Sequence, residues 1–265
     1  MVRDDLEAAI TAIRNGGWGD RRASLQFYVG HAQGWPLVAE SEGAIVGTAV
    51  ATQSGRVGWV GLVFVAPSWR GRGLGAELTR ATLRCLENFG CRSFLLAATE
   101  LGRPIYERLG FRSAGHYVVF GGQSRVEPLV DRRVRRLRAD DLDAVCALDH
   151  AATDEDRSHI MRAVAEGWVI DDAGTVRGFA LRTPWGLGPA IAADAIDGAL
   201  LIETLRTNAL TTDLQFTIPD ANTAAMDYVR SIGFVELRRL PRMLLGASVA
   251  WQPGHIWTIS GFAMG

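Results

Sequence analysis

Lysine is absent from this chain of 265 residues, so all 28 of its basic residues are arginine. A Walker-type phosphate loop needs a lysine on the nucleotide phosphates, and a pyridoxal phosphate enzyme needs one for its Schiff base. The sequence therefore excludes both classes of protein.

Cysteine and long apolar runs are also scarce. The three cysteines lack a close Cys-x-x-Cys spacing and the five histidines show no metal-ligand spacing, so we expect neither a disulfide scaffold nor a metal site. No apolar run approaches the roughly 20 residues that a membrane-spanning helix needs, and acidic residues stand where a signal peptide has its basic head. These features predict a cytoplasmic protein in a reducing compartment, with no membrane partner.

The charges of the two signs nearly cancel, giving a formal net charge of -1. This balance provides no global attraction to nucleic acid. The basic stretch 131–138 lacks the interleaved aromatic residues of a nucleic-acid surface, and we interpret it as a solvated linker and first strand. We therefore expect no nucleic-acid partner.

The most informative segment is Arg70-Gly71-Arg72-Gly73-Leu74-Gly75-Ala76, hereafter the glycine loop (70–76). It lies between a strand-like apolar stretch, Val60 to Val65, and a helix-like stretch, Leu74 to Phe89. Glycines let backbone N–H groups crowd together at a helix start, where the aligned peptide dipoles favour an anion such as a pyrophosphate. The two arginines add positive charge, so the segment predicts a phosphate-binding loop.

The glycine loop also satisfies a dinucleotide-binding pattern, with Gly71, Gly73 and Ala76 at the required spacing. A single match of this kind is weak evidence. In a dinucleotide-binding unit the first glycine directly follows the first strand of the domain, whereas here a Pro-Ser-Trp segment intervenes and three strands precede the loop. Dinucleotide binding remains an alternative hypothesis.

Hydrophobic periodicity predicts the same order of elements in both halves of the chain. The first half should hold two helices, a three-strand meander, the glycine loop with its helix, a buried strand, a short helix and a last strand. In the second half the pattern predicts helices over 140–148 and 154–166, a hairpin over 168–182, a strand over 214–218 and a helix over 222–232. A Gly-Phe pair at 110–111 recurs at 233–234. We therefore predict a tandem duplication with domains 1–125 and 132–265, separated where polar residues and Pro128 cluster.

Two motifs carry a resemblance to a known family. Arg70, Gly73 and Gly75 fill the acyl-CoA loop pattern of the GNAT superfamily, which is Arg or Gln, two residues, Gly, one residue, and Gly or Ala. Tyr106 begins a Tyr-x-x-x-Gly-Phe stretch that often follows the last central strand in that family. The chain therefore resembles the GNAT N-acyltransferases. The resemblance implies an α/β (α+β) class with two tandem GNAT folds, each a mixed, mostly antiparallel twisted sheet flanked by helices.

The resemblance also implies an activity, the direct transfer of an acetyl group from acetyl-CoA to a primary amine of a small molecule in a ternary complex. Tyr106 would protonate the departing CoA thiolate, which suits a phenol with a reference pKa near 10. We expect a monomer or homodimer. The residues implied to bind the cofactor are Val63, Phe64 and Val65 for the pantetheine arm, with Arg70, Gly71, Arg72, Gly73, Leu74, Gly75 and Ala76 for the pyrophosphate.

The sequence departs from the family pattern at two points. Thr99 stands where the family often has asparagine, and the usual first strand of the family is short or missing. The general base is not identified, although Glu100 is a candidate. A non-catalytic module that binds or senses acyl-CoA is therefore an alternative to the enzyme. The acceptor is open as well, because acceptor sites are built from variable loops on a shared scaffold.

The second half lacks the features that predict a cofactor site in the first. Val229 takes the place of Tyr106, and Tyr228 is rotated from it by about 100° of helix. The stretch 186–189 has no arginine and ends in a proline without an N–H, and we expect the next helix to be capped at Asp194. This half resembles the second domain of tandem GNAT proteins, including its Arg242-Met243-x-x-Gly246 stretch, and we predict that it has no CoA site of its own.

Overall fold

The computed structural model describes residues 1–127, 129–164 and 166–264. In the first half of the chain the elements are α1 Leu6–Asn15, α2 Arg22–Gly30, β1 Gly34–Ser41, β2 Ala44–Ser54, β3 Val57–Val65, α3 Leu74–Asn88, β4 Ser93–Ala97, α4 Arg103–Arg108 and β5 Arg112–Gln123. In the second half they are β6 Val134–Arg136, α5 Leu142–Thr153, α6 Ser158–Ala163, β7 Gly167–Asp172, β8 Thr175–Thr183, β9 Gly186–Ala192, α7 Ala195–Thr207, β10 Asp213–Pro219, α8 Thr223–Ser231, β11 Val235–Gly246 and β12 Ile256–Thr258.

The chain divides into two compact units that differ from two contiguous halves. Unit 1 holds Met1–Ala114, Arg242–Ser248 and the last residues from Phe262, and unit 2 holds Gly115–Pro241 and Val249–Gly261. Strand β5 thus starts in unit 1 and continues into unit 2, whereas β11 runs from unit 2 into unit 1. A domain division at 1–125 and 132–265 stays a prediction, and Pro128, used to place its boundary, lies outside the described residues.

Unit 1 is a mixed sheet with helices on both faces. Strands β1, β2 and β3 form an antiparallel meander, β4 pairs with β3 in parallel, and the end of β11 pairs with β4 antiparallel. Helix α3 covers one face, where Gly47 and Gly58 leave room for Leu78 and Leu86. Helix α1 covers the other face, where the Phe64 ring lies against Gly16.

The C-terminal part of β11 explains the Arg242-Met243-x-x-Gly246 stretch. Arg242 to Gly246 pair with Ala97 to Ser93, so β4 has a partner on both sides, as a strand buried on both faces requires. Met243 is buried in the core of unit 1. Gly246 has a φ of 87° and lies so close to the Arg92 carbonyl that a side chain there would overlap it. The stretch therefore completes the sheet of unit 1.

Unit 2 has a five-stranded antiparallel sheet in the order β12-β9-β8-β7-β6, and an antiparallel β5–β10 pair. Its core is apolar and includes residues from β5, β10, α7 and α8, such as Phe120, Phe216, Leu201 and Val229. Each fully buried side chain of this kind contributes about 1.5–3 kcal/mol through removal of apolar surface from water. The mixed, mostly antiparallel sheets flanked by helices confirm the predicted fold class.

One predicted helix is wrong in extent. The helix predicted over 154–166 is α6, which spans only Ser158–Ala163, and Ala165 lies outside the described residues. Asp154 has a φ of 58° and ends α5, because this left-handed conformation cannot continue a helix. The following turn directs Arg157 into the unit, where its Nε donates to Asp149 Oδ2 at 2.9 Å. Residues 154–157, predicted as the first turn of this helix, therefore form a turn that places Arg157 in a buried ion pair.

Candidate active site

Strands β3 and β4 separate in the middle of the sheet of unit 1. Their parallel ladder pairs Val57, Gly58 and Trp59 with 93–95 and ends there. Strand β3 nevertheless continues to Val65 and β4 to Ala97. Within the described chain, residues 60–65 therefore have no ladder partner on the β4 side, which leaves an open gap between the two strands.

A bulge interrupts β3 along this gap. The register with β2 shifts between Thr48 and Val50, and Leu62 has a φ of 48°, an uncommon conformation for a branched residue. Thr48 Oγ1 donates to the Leu62 carbonyl at 2.9 Å and so supports the bulge. The bulge turns the backbone of β3 away from a regular ladder at the edge of the gap.

The backbone groups of Val63 and Val65 face the gap. The Ala66 amide donates to the Val46 carbonyl of β2 at 2.9 Å, so residue 66 points its amide toward β2. Successive residues of a strand point their N–H and C=O groups to opposite sides, so Phe64 also faces β2 while Val63 and Val65 face away from it. These two residues can therefore hydrogen-bond an extended ligand lying in the gap.

The glycine loop joins β3 to the 15-residue helix α3 with its amides exposed. Gly71 and Gly73 have φ values of 77° and 86°, which only glycine adopts without strain. The Ala76 and Glu77 amides donate to the Gly73 carbonyl, whereas those from Gly71 to Gly75 donate to no protein acceptor in the described part of the chain. Five free amides thus lie at a helix N-terminus, one fewer than the predicted set, because that of Ala76 is used within the helix.

Two arginines flank these amides and project into solvent. Arg70 Nε donates to the Val65 carbonyl at 3.2 Å, and the Arg72 guanidinium lies 4.9 Å from the centre of the Trp69 ring. Neither arginine forms an ion pair with a described acidic side chain, in contrast to many other arginines of the chain. Their positive charge is therefore available to an anion at the loop.

Tyr106 lies on the short helix α4 and belongs to the same apolar cluster as Val60 and Ala98, at the edge of the gap. Its ring packs edge-on against Phe111, and burial raises its pKa to about 12. The hydroxyl forms no hydrogen bond with the described protein. A neighbour on α4, Ile105, would lie 3.3 Å from a Cβ on Gly75, so α4 also borders the glycine loop.

The turn before α4 uses the residue that departs from the family pattern. Thr99 Oγ1 accepts from the Gly102 amide at 3.2 Å, which satisfies one backbone donor at the start of α4. Gly102 is required there because a side chain would approach the Tyr106 ring at 2.9 Å. Glu100 is exposed in the same turn. The structure therefore explains Thr99 as a turn residue and gives no reason to prefer Glu100 as a base.

The corresponding helix in unit 2 is α7, and the side chain of Asp194 caps its N-terminus. Asp194 Oδ1 accepts from the amides of Ile196 and Asp197 at 2.8 and 3.3 Å, which confirms the predicted cap. The stretch 186–189 is not a loop but the start of β9, so only residues 193 and 194 separate β9 from α7. The Asp194 carboxylate thus accepts hydrogen bonds that a bound anion would otherwise accept.

A strand of the chain also lies between β9 and β10 of unit 2. Strand β12 pairs with β9, and from there the Thr258 hydroxyl and the Ile259 amide each hydrogen-bond to the backbone of Thr217 in β10. The Trp257 ring sits against Gly198 of α7, where any side chain would overlap it. The space that corresponds to the open gap of unit 1 is therefore filled.

Sequence reasoning did not single out Gly61 or Leu62, although both lie at the open gap. Glycine inside a strand pattern indicates a bulge or a close approach of another segment, and this signal was available for Gly61. No residue-type signal marks Leu62, whose positive φ follows from the register shift.

No helix in the described ranges is long and apolar enough to cross a bilayer. Two family models described as acetyltransferase (GNAT) domains match residues 32–113 and 145–258. The uncharacterized N-acetyltransferase YitH of Bacillus subtilis (strain 168) is 27% identical over 265 residues, covering 94% of this chain and 91% of its own. A glucosamine 6-phosphate N-acetyltransferase of Trypanosoma brucei brucei is 40% identical over 78 residues, covering 27% of this chain and 53% of its own.

Solved structures share the fold over nearly the whole chain. A Pyrococcus horikoshii protein classed as an acetyltransferase superposes with a TM-score of 0.87 at 19% identity, covering 100% of this chain and 94% of that one. A tandem GNAT protein from the clavulanic acid biosynthesis pathway gives 0.62 at 15% identity, covering 94% and 97%. With two matching domains in series, this chain belongs to the GNAT superfamily of acyltransferases as a tandem member.

Proposed function

We propose that unit 1 is an N-acetyltransferase that moves an acetyl group from acetyl-CoA to a primary amine of a small molecule within a ternary complex. The observation that carries this proposal is the set of amides from Gly71 to Gly75, which have no acceptor among residues 1–127, 129–164 and 166–264 and lie beside the open edge of β3. Both relatives are named as N-acetyltransferases, which agrees with this class of reaction.

The cofactor would lie with its pyrophosphate at the start of α3. A helix N-terminus carries about half a positive elementary charge, and hydrogen bonds from amides to a charged group contribute about 1.5–3 kcal/mol each. Arg72, held beside Trp69, would add to this attraction. The pantetheine arm would extend along the gap, hydrogen-bonded to Val63 and Val65, and Arg70 would have to release the Val65 carbonyl.

The chemical step would join the amine nitrogen to the acetyl carbon and break the bond from that carbon to sulfur. The amine must be neutral to attack, so its proton leaves before or during this step. A backbone N–H at the bulge around Leu62 and Val63 would stabilise the oxyanion. The products are an N-acetylamine and CoA, whose thiol takes up one proton.

Tyr106 would donate a hydrogen bond to the departing sulfur. With its pKa raised to about 12, the phenol stays protonated at neutral pH. A neutral phenol can donate this hydrogen bond, and it can pass on its proton as negative charge develops on the sulfur.

We expect unit 2 to bind no acetyl-CoA of its own. The Asp194 carboxylate on the amides of α7 and the presence of β12 between β9 and β10 both support this division of roles. We therefore expect one acetyl-CoA per chain.

Calorimetric titration with acetyl-CoA, together with thiol release across a panel of primary amines, tests the proposal. We expect one site per chain, no binding of NADH, and amine-dependent release of CoA. Arg72→Ala should weaken acetyl-CoA binding about tenfold, whereas Arg80→Ala on the exposed face of α3 should not. Binding without thiol release for any amine would instead support a non-catalytic acyl-CoA module, and absence of binding would reject both.

A further inference from the structure

We infer that residues 262–264, which belong to unit 1, form the acceptor-side wall of its active site and limit the size of the amine. This inference rests on the proposed acetyltransferase function. The segment lies against β3 at Gly61, next to the bulge at the open gap.

The contact at Gly61 is very close. A Cβ on Gly61 would overlap the Ala263 side chain and lie 2.7 Å from its Cα. Ala263 and Met264 are 7% and 1% exposed, so the segment is packed into the unit rather than lying on its surface. Only a glycine at position 61 permits this packing.

The segment lies on the face of the sheet opposite α3. Val60 points toward α3 and belongs to the apolar cluster that contains Leu83 and Leu86. Gly61, its neighbour, therefore points to the opposite face, which it shares with Phe64 because of the intervening bulge. Helix α3 and its core cover the first face, and α1 covers the second at Phe64, so an amine would reach a thioester in the gap beside Gly61 on the second face.

The chemistry of the wall points to a compact amine. An alanine and a buried methionine provide apolar surface and no charge. Such a wall cannot select a charged or polar group beyond the amine, but it excludes bulk, and about one methylene of extra size changes discrimination by 10- to 200-fold. We therefore expect the segment to favour a compact primary amine over a long or branched one.

Gly61→Ala is the first test, with Gly30→Ala at the end of α2 as the matched control, because a Cβ there meets nothing within 4 Å. Displacing the segment should raise the ratio of kcat/KM for a long or branched amine over that for a short one by about tenfold. The KM for acetyl-CoA should stay within about twofold of the parent. A general loss of structure would not change the preference between amines while leaving this KM unchanged. The control should leave both quantities unchanged.

Met264→Ala keeps the test informative if Gly61→Ala does not fold, with Met243→Ala as a buried control on β11 of the same unit. The readout is the affinity for CoA conjugates that carry alkylamines of increasing length on their sulfur. Met264→Ala should bind longer conjugates than the parent binds at the same affinity. Met243→Ala should have the same length limit as the parent. An unchanged length limit in both variants of the wall would overturn the inference while leaving the acetyltransferase intact. Failure of the parent to bind acetyl-CoA would instead overturn the proposed function, and the wall with it.

Discussion

Replacing Gly73 by alanine separates the role of the glycine loop in binding from its role in folding. Gly73 precedes α3 with a φ of 86°, and Gly90 follows the same helix with a φ of 82°. A Cβ at either position meets nothing within 4 Å, so both substitutions introduce backbone strain without a clash. The two variants are therefore matched except for their distance from the five free amides.

The expected loss of stability is the same in both variants. A residue other than glycine in the left-handed region costs about 1–2 kcal/mol. For a protein of this size each kcal/mol lowers the melting temperature by about 2–4 °C, so both Gly73→Ala and Gly90→Ala should melt about 2–8 °C below the parent.

The expected loss of acetyl-CoA affinity differs between them. At Gly73 the new methyl group projects into the space beside the free amides and would cost at least one hydrogen bond to the pyrophosphate. One charge-assisted hydrogen bond contributes about 1.5–3 kcal/mol, so the Kd should rise about 10- to 100-fold. Gly90→Ala should bind acetyl-CoA as the parent does. Calorimetry at fixed ionic strength measures both, and equal affinities in the two variants would refute the assignment of the loop.

Three further predictions concern Tyr106 and two carboxylates of unit 2. Tyr106→Phe should lower kcat about 100-fold with little change in the KM for acetyl-CoA, measured by thiol release, and an unchanged kcat would contradict its role. Asp149→Asn removes the carboxylate paired with the buried Arg157 and should cost about 3–5 kcal/mol in urea unfolding, against less than about 1 kcal/mol for the exposed Asp143→Asn. Burial raises the pKa of Glu203, but hydrogen bonds from two arginines outweigh it and leave the pKa lowered. Its stabilisation is thus present above the unfolded pKa of about 4.5 and lost as the pH falls, so the deficit of Glu203→Gln relative to the parent should shrink below that pH in a series of unfolding curves.

The elements that sequence analysis located best are those with local signals. The helix after the glycine loop and the meander before it follow from hydrophobic period and from turn residues, and they agree with α3 and β1–β3 within a few residues. The Asp194 cap was likewise predictable, because its evidence lies within three residues of the helix start.

Non-local pairings left no such signal. The register of Arg242 to Gly246 on β4 depends on residues far away in the sequence, and the three residues of β12 are too few to show a period. The positive φ of Leu62 depends on the register between β2 and β3 rather than on its residue type. The geometry of the gap therefore required the structure, whereas the loop beside it did not.

The pairing of β11 with β4 has a consequence for how this protein is made. The ribosome must synthesise about 145 residues beyond Ala97 before Arg242–Gly246 can pair with Ser93–Ala97. Until then β4 has an uncovered edge inside an apolar environment, a state prone to pairing with other nascent chains. A fragment that ends after the first acetyltransferase match lacks residues 242–246, so we expect it to keep this edge of β4 uncovered and to aggregate.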